Sequence, residues 1–246
     1  MAPTVTITAP AAGSIFPVGT AVSFTGSFTD PGSLDTHTAT WTFDGIPAPG
    51  TIGGTNTNGT VTATKTFTAA GVYNVILTVT DKDGGVGTAS TVGGMNAIVV
   101  IYDPSAGFVT GGGWINSPAG AYAASPSLAG KASFGFVSKY QKGASIPTGE
   151  TEFQFQVGNL NFHSTSYDWL VVSSTTQAQF KGTGTINGTG NYAFLITAVD
   201  GSPDSFRIKI WDKSTNAVVY DNKMGSGESD LGATTALGGG SIVIHK

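Results

Sequence analysis

Four aspartates, Asp30, Asp35, Asp81 and Asp83, sit beside turns in the first third of the chain, within Asp30-Pro-Gly and Asp81-Lys-Asp-Gly-Gly85. Carboxylates gathered with backbone carbonyls make a hard-oxygen site of the kind Ca²⁺ takes. These four are therefore the candidate metal ligands, provided that the fold brings their turns to one end. Each also has a simpler use, because a short Asp side chain hydrogen-bonds its own backbone and so starts a turn unaided. No twelve-residue EF-hand loop accompanies them.

A serine nucleophile needs a base within hydrogen-bond reach, and the three histidines, His37, His163 and His245, are far apart in sequence, with no Gly-x-Ser-x-Gly string. His37, beside a strand start, reads as a locally bonded turn residue. His163 and His245 lack the short His-x-His or His-x-x-x-His spacing of a metal pair. Glu150, Glu152, Asp168, Asp200, Asp204, Asp212 and Glu228 supply carboxylates for glycoside hydrolysis, where their separation in space decides the chemistry. Most of them lie at strand ends beside Gly or Ser, where solvated turn carboxylates are ordinary. Sugars, by contrast, pack their C–H faces on exposed rings. Along Phe206 to Asp212 strict alternation sets Phe206, Ile208 and Ile210 on one face and Arg207, Lys209 and Trp211 on the other. Trp211 with Arg207 and Lys209, and Tyr167 with Trp169 on a shared face of a second strand, are thus the candidate ligand-binding residues. The alternative is that these rings fill a core.

The chain has 246 residues, with 36 Gly, 11 Pro, no Cys and 11% charged residues. Abundant Thr, Ser, Gly and Val, with few of the best helix formers, predicts short strands joined by tight turns. A net charge of −4 without a basic run leaves nothing to neutralise phosphates, which argues against nucleic-acid binding. No apolar run approaches the roughly 20 residues of a membrane helix, so membrane insertion is not expected. The Met1-Ala2-Pro3 start carries no signal region, which reads as a mature fragment of a secreted protein.

Alternation places strands at the Thr-Val-Thr-Ile-Thr start, at Ala21 to Phe28, Thr38 to Phe43, Val61 to Phe67 and Val72 to Thr80. Three strings here resemble the polycystic-kidney-disease (PKD) repeat: Phe28-Thr-Asp-Pro-Gly-Ser-Leu-Asp-Thr-His-Thr-Ala-Thr-Trp41, Phe67-Thr-Ala-Ala-Gly-Val-Tyr73 and Leu77-Thr-Val-Thr-Asp-Lys-Asp-Gly-Gly85. The resemblance implies an immunoglobulin-like two-sheet sandwich over residues 1–103, a core Trp41 and, as in some PKD modules, Ca²⁺. The string Trp41-Thr-Phe-Asp-Gly45 lacks the glycine usual before the aspartate, which weakens any loop role for Asp44.

Pro104 and its small neighbours break the chain after Tyr102, so a second domain is expected over residues 104–246. Nine candidate strands without helical periodicity suggest a larger β-sandwich or jelly roll. Glu152-Phe-Gln-Phe-Gln-Val157 alternates most clearly, and Asn187-Gly188 marks a tight hairpin. This half resembles a module near the C-termini of large secreted bacterial proteins, through strings such as Gly111-Gly-Gly-Trp-Ile115, Tyr167-Asp-Trp-Leu-Val-Val172 and Phe206-Arg-Ile-Lys-Ile-Trp-Asp212. The sequence therefore predicts an all-β, secreted, bacterial cell-surface protein without catalytic activity: a PKD spacer followed by a module binding a polysaccharide or a protein partner. Two alternatives stand beside it. One is a structural subunit of a surface fibre or layer that self-associates through weakly protected strand edges; the other is a glycan-active hydrolase.

Overall fold

The structure, a computed structural model, describes residues 1–231 and 235–246, and its regular elements are strands apart from one 3₁₀ turn at Gln156–Gly158. The chain divides into two units, Met1–Ile101 and Tyr102–Lys246. Among the described residues no helix is long and apolar enough to cross a membrane.

The first unit holds β1 (Thr4–Ala9), β2 (Ser14–Pro17), β3 (Ala21–Thr29), β4 (His37–Phe43), β5 (Ile46–Pro49), β6 (Thr51–Gly54), β7 (Asn58–Thr66), β8 (Gly71–Asp81), β9 (Val86–Ala89), β10 (Thr91–Val92), β11 (Met95–Asn96) and β12 (Ile98–Tyr102). One sheet runs β1-β3-β7-β6 and the other β2-β12-β8-β4-β5, with β9 also on β8. Alternation along β3 sends Val22, Phe24, Gly26 and Phe28 inward, as read from the sequence, onto Trp41, Phe43, Leu77 and Val99. Gly26 is compelled: a Cβ there would lie 2.4 Å from Leu77 Cδ2 and 2.8 Å from Thr6 O. Trp41 is fully buried at the sandwich centre.

The second unit holds β13 (Phe108–Ser117), β14 (Gly130–Tyr140), β15 (Pro147–Phe155), β16 (Leu160–Val172), β17 (Gln177–Ile186), β18 (Thr189–Val199), β19 (Ser205–Asp212), β20 (Val218–Asp221) and β21 (Thr235–His245). The all-β, layered reading holds, with simpler connectivity than a jelly roll. Strands β13 to β19 pair in chain order, β21 pairs with β13 on one side and with Ser205–Phe206 of β19 on the other, and every pairing is antiparallel. The sheet therefore closes on itself, and opposite walls of one meander supply the facing layers. Asn187 and Gly188 both take positive φ (52° and 77°), the conformation of the tight hairpin between β17 and β18. The interior is filled by Phe134, Phe153, Phe155, Phe180, Phe206 and Tyr220 among others, with the Phe134 and Phe206 rings stacked at 3.9 Å.

Candidate functional site

Three of the four predicted metal ligands meet. Strand β4 pairs with β8 so that His37 stands opposite Asp81, which brings the β3–β4 loop, carrying Asp30 and Asp35, against the β8–β9 turn. Asp30, Asp35 and Asp81 are buried, and one candidate ligand atom from each lies within 4.8 Å of the others. Backbone N–H groups fix the carboxylates: Gly32 donates to Asp30 Oδ1 at 2.7 Å, and Asp83 and Gly85 donate to Asp81 Oδ1, each at 2.8 Å. A Cβ at position 32 would fall 1.9 Å from Asp35 Oδ2, so a larger residue there displaces that carboxylate. His37 Nε2 lies 3.0 Å from Asp30 Oδ2, and this contact, helped by the Gly32 N–H, holds the Asp30 carboxyl below its ordinary range. The Lys82 ammonium reaches Asp35 at 3.0 Å and Asp83 at 2.8 Å, which raises its pKa. Asp83 itself stays outside the cluster, exposed and paired with Lys82. Asp81 Oδ2 is buried with no hydrogen-bond partner.

The predicted ligand platform of the second unit is corrected by the structure. Arg207, Lys209 and Trp211 do face outward, but Arg207 and Trp211 are buried, at 1% and 8% exposure. The segment after β20, Asn222 to Leu231, is fastened to this wall. Arg207 donates twice to Asp221, at 3.0 and 2.9 Å, and to the carbonyls of Gly227 and Ser226. Gln179 donates to Glu228 O, Gln177 to Leu231 O, and the Lys181 ammonium pairs with the Glu228 carboxylate at 2.9 Å. The Trp211 ring carries the ammonium groups of Lys181 and Lys209 at 5.0 and 5.4 Å. Tyr167 and Trp169 do not share a face either. Register shifts between Ser164 and Ser166 and between Tyr167 and Trp169 break the alternation of β16. Tyr167 consequently joins the interior, its hydroxyl 2.6 Å from Thr151 Oγ1, while Trp169 is buried outside that cluster.

Most carboxylates weighed for hydrolysis are committed to structure. Asp204 accepts from Gly201 N and Ile242 N, and Asp200 from Ile244 N. Asp212 accepts from the Ser214 hydroxyl and from the N–H groups of Thr215 and Ser214, which hold its pKa down to about 2. Glu150 and Glu152 differ. They project from the outer face of β15, beside His163, whose Nδ1 lies 3.3 Å from Glu152 Oε1, and the three groups converge within 4.8 Å. Together with Gln154 and the 133–137 stretch of β14 the two glutamates line an open depression of about 470 Å³. Sequence alternation sets Phe153, Phe155 and Val157 inward and Gln154 and Gln156 outward; the two phenylalanines are buried, but the strand ends at Phe155, and Val157, in the 3₁₀ turn, is exposed. That His163 would stand opposite Glu152 depends on the β15–β16 register, which no local signal reports. His245 stacks on Phe108 at 4.1 Å.

Residues 1–93 match the family model of the PKD domain. Among solved structures the chain is similar to the fibronectin(III)-like modules of Clostridium thermocellum CbhA, at 14% identity and a TM-score of 0.32, over 88% of this chain and 90% of that one. No curated protein matches it.

Proposed function

We propose that the chain is an extracellular, non-catalytic module pair, in which the first unit is a Ca²⁺-loaded PKD spacer and the second binds a polysaccharide or protein partner at a cell surface. The observation that carries the reading is the buried carboxylate cluster with its orphaned Asp81 Oδ2. Burying such an oxygen without a partner costs more than a typical net hydrogen bond returns. Ca²⁺ takes oxygen ligands at 2.3–2.6 Å, so oxygens on opposite sides of one ion stand about 5 Å apart, a span that the three carboxylates meet. Asp30, Asp35 and Asp81 would hold the ion, and Lys82 would give up Asp35 to it while keeping Asp83. The bound cation supplies positive charge between the β3–β4 loop and the β8–β9 turn.

The second unit supports binding through its surface, because hydrocarbon fills its interior and the groups that converge at its outer wall are Glu150, Glu152 and His163. The closed sheet also limits the fibre reading. Edge association would fall to the first unit, whose edge strands β2, β5 and β6 have four residues each and β1 six, and short edges template poorly. Calorimetric titration of chelator-treated protein with Ca²⁺ is the test. Heat of binding and a raised melting temperature are expected, since an ion held only by the folded state stabilises it by about 2.7 kcal/mol at a hundred times Kd. Absence of both removes the calcium-loaded spacer.

A further inference from the structure

On the outer wall of the second unit, cross-strand partners form one row: Ser241, Gly112, Gly135, Glu152 and His163. Their neighbours along each strand, Phe134, Phe136, Phe153, Phe162 and Ile242, point into the interior. Most strand glycines in this unit are compelled by contact. A Cβ on Gly149 would lie 1.9 Å from Val137 O, on Gly182 2.1 Å from Ser166 O, and on Gly238 2.2 Å from the Trp114 ring. Gly112 and Gly135, which face each other, are not. Neither has positive φ; a Cβ on Gly135 meets nothing within 4 Å, and one on Gly112 meets only Phe134 O, at 3.9 Å. Glycine weakens a strand interior and marks a bulge, a bend of the sheet or close approach by another molecule; the β13–β14 register runs through Gly112 and Gly135 without a bulge.

Gly135 leaves bare backbone on the floor of the depression lined by Ser133, Val137, Glu150, Glu152 and Gln154, and Gly112, its cross-strand partner, continues that bare backbone beside it. At about 470 Å³ the depression has the size of a small-molecule site. We infer that this row is the binding site of a neutral polysaccharide chain, lying across the strands with its sugar rings on Gly112 and Gly135. The inference rests on the reading of this unit as a binding module, and moves the site from the Trp211 wall to the opposite run of strands in the sheet order. Glu150 and Glu152 accept sugar hydroxyls, and Gln154 and Ser133 both donate and accept. Val137 on one side of the row and half-buried Trp114, its ring over Gly238 and under the Lys131 ammonium, on the other give apolar borders. Lys131 and Lys139 stand on the same face of β14, outside the depression. Two carboxylates at the centre oppose a polyuronate. A peptide strand finds no free ladder here, because β13, β14 and β15 are paired on both edges. A metal ion on Glu150, Glu152 and His163 would not need the bare floor.

Affinity electrophoresis of the full chain in gels containing cellulose derivatives, xylan, mannan, chitosan or polygalacturonate tests this, with Gly135→Val, Glu152→Gln and, as a control on the other wall, Lys209→Ala. Valine at 135 enters open space on a strand, so Gly135→Val should melt no lower than the parent. The parent and Lys209→Ala should be retarded by a neutral polymer and not by polygalacturonate, with at least tenfold weaker affinity in both other variants. Neutral-glycan binding that survives in Gly135→Val overturns the row and leaves the binding reading standing. Retardation only by chitosan or only by polygalacturonate overturns the occupant. If the parent binds none of these polymers, the polysaccharide reading of the unit falls with the inference.

Discussion

Replacing Arg207 by alanine separates a buried structural arginine from a ligand contact. The guanidinium donates to both oxygens of Asp221 and to two carbonyls of the covering segment, and the ion-paired side chains are 1% and 5% exposed. Removing one partner of a buried ion pair strands the other charge, at about 3–5 kcal/mol. Among the described residues Asp221 then keeps the Lys223 N–H on its Oδ1, at 2.9 Å, while the carbonyls of Ser226 and Gly227 lose the Arg207 donor. For a unit of this size each kcal/mol moves the melting temperature by roughly 2–4 °C, so Arg207→Ala should melt roughly 6–20 °C lower. Three of the four tryptophans, Trp114, Trp169 and Trp211, lie in this unit, so fluorescence-detected unfolding reads it preferentially. Joint replacement of Arg207 by Met and Asp221 by Leu should recover much of the loss, since no charge is then left alone. A loss below about 1 kcal/mol in the single variant, the range of an exposed ion pair, would show that Arg207 is not a buried structural partner of Asp221.

Three further outcomes follow from the same contacts. Asp81→Asn should abolish the calcium heat while leaving the unit folded, because an amide oxygen can still accept from Asp83 and Gly85; unchanged heat would move the ion elsewhere. Asp212, held down to about 2 in the fold, contributes stability above its ordinary value of 3.8 and loses it as pH falls through the folded value. The melting-temperature gap between parent and Asp212→Asn should therefore narrow between pH 5 and pH 2, and a gap independent of pH counts against it. Gly26→Ala should destabilise the first unit by about 1–3 kcal/mol, as forced overpacking does, measured by denaturant unfolding; neutrality would show that β3 and Leu77 yield freely.

The strands were legible because alternation is a local signal. Phe24 with Phe28 and Phe153 with Phe155 announce their inner faces, and Asn187-Gly188 its hairpin. The aspartate cluster was partly legible: the residue types were visible, but the exclusion of Asp83 depends on where the turn places each side chain. Tyr167 and Trp169 misled because a bulge leaves no mark in composition, and the shift at Tyr167 exchanges inside for outside. Arg207 and Trp211 were assigned to the correct face, yet outward from a sheet is not the same as exposed. Their cover comes from Gly225-Ser-Gly-Glu-Ser-Asp230, whose composition gives no hint of burial. The bare row was hidden for another reason. Gly112 and Gly135 look like every other strand glycine until the contacts of a missing Cβ are weighed, and Glu152 meets His163 only through register.

The most direct measurement maps amide chemical-shift changes in ¹⁵N-labelled protein as a neutral oligosaccharide is added. The largest changes should fall at Gly112, Gly135, Glu152 and His163, with Lys223 to Leu231 unmoved. Changes centred on Lys209, Trp211 and the covering segment would contradict that placement.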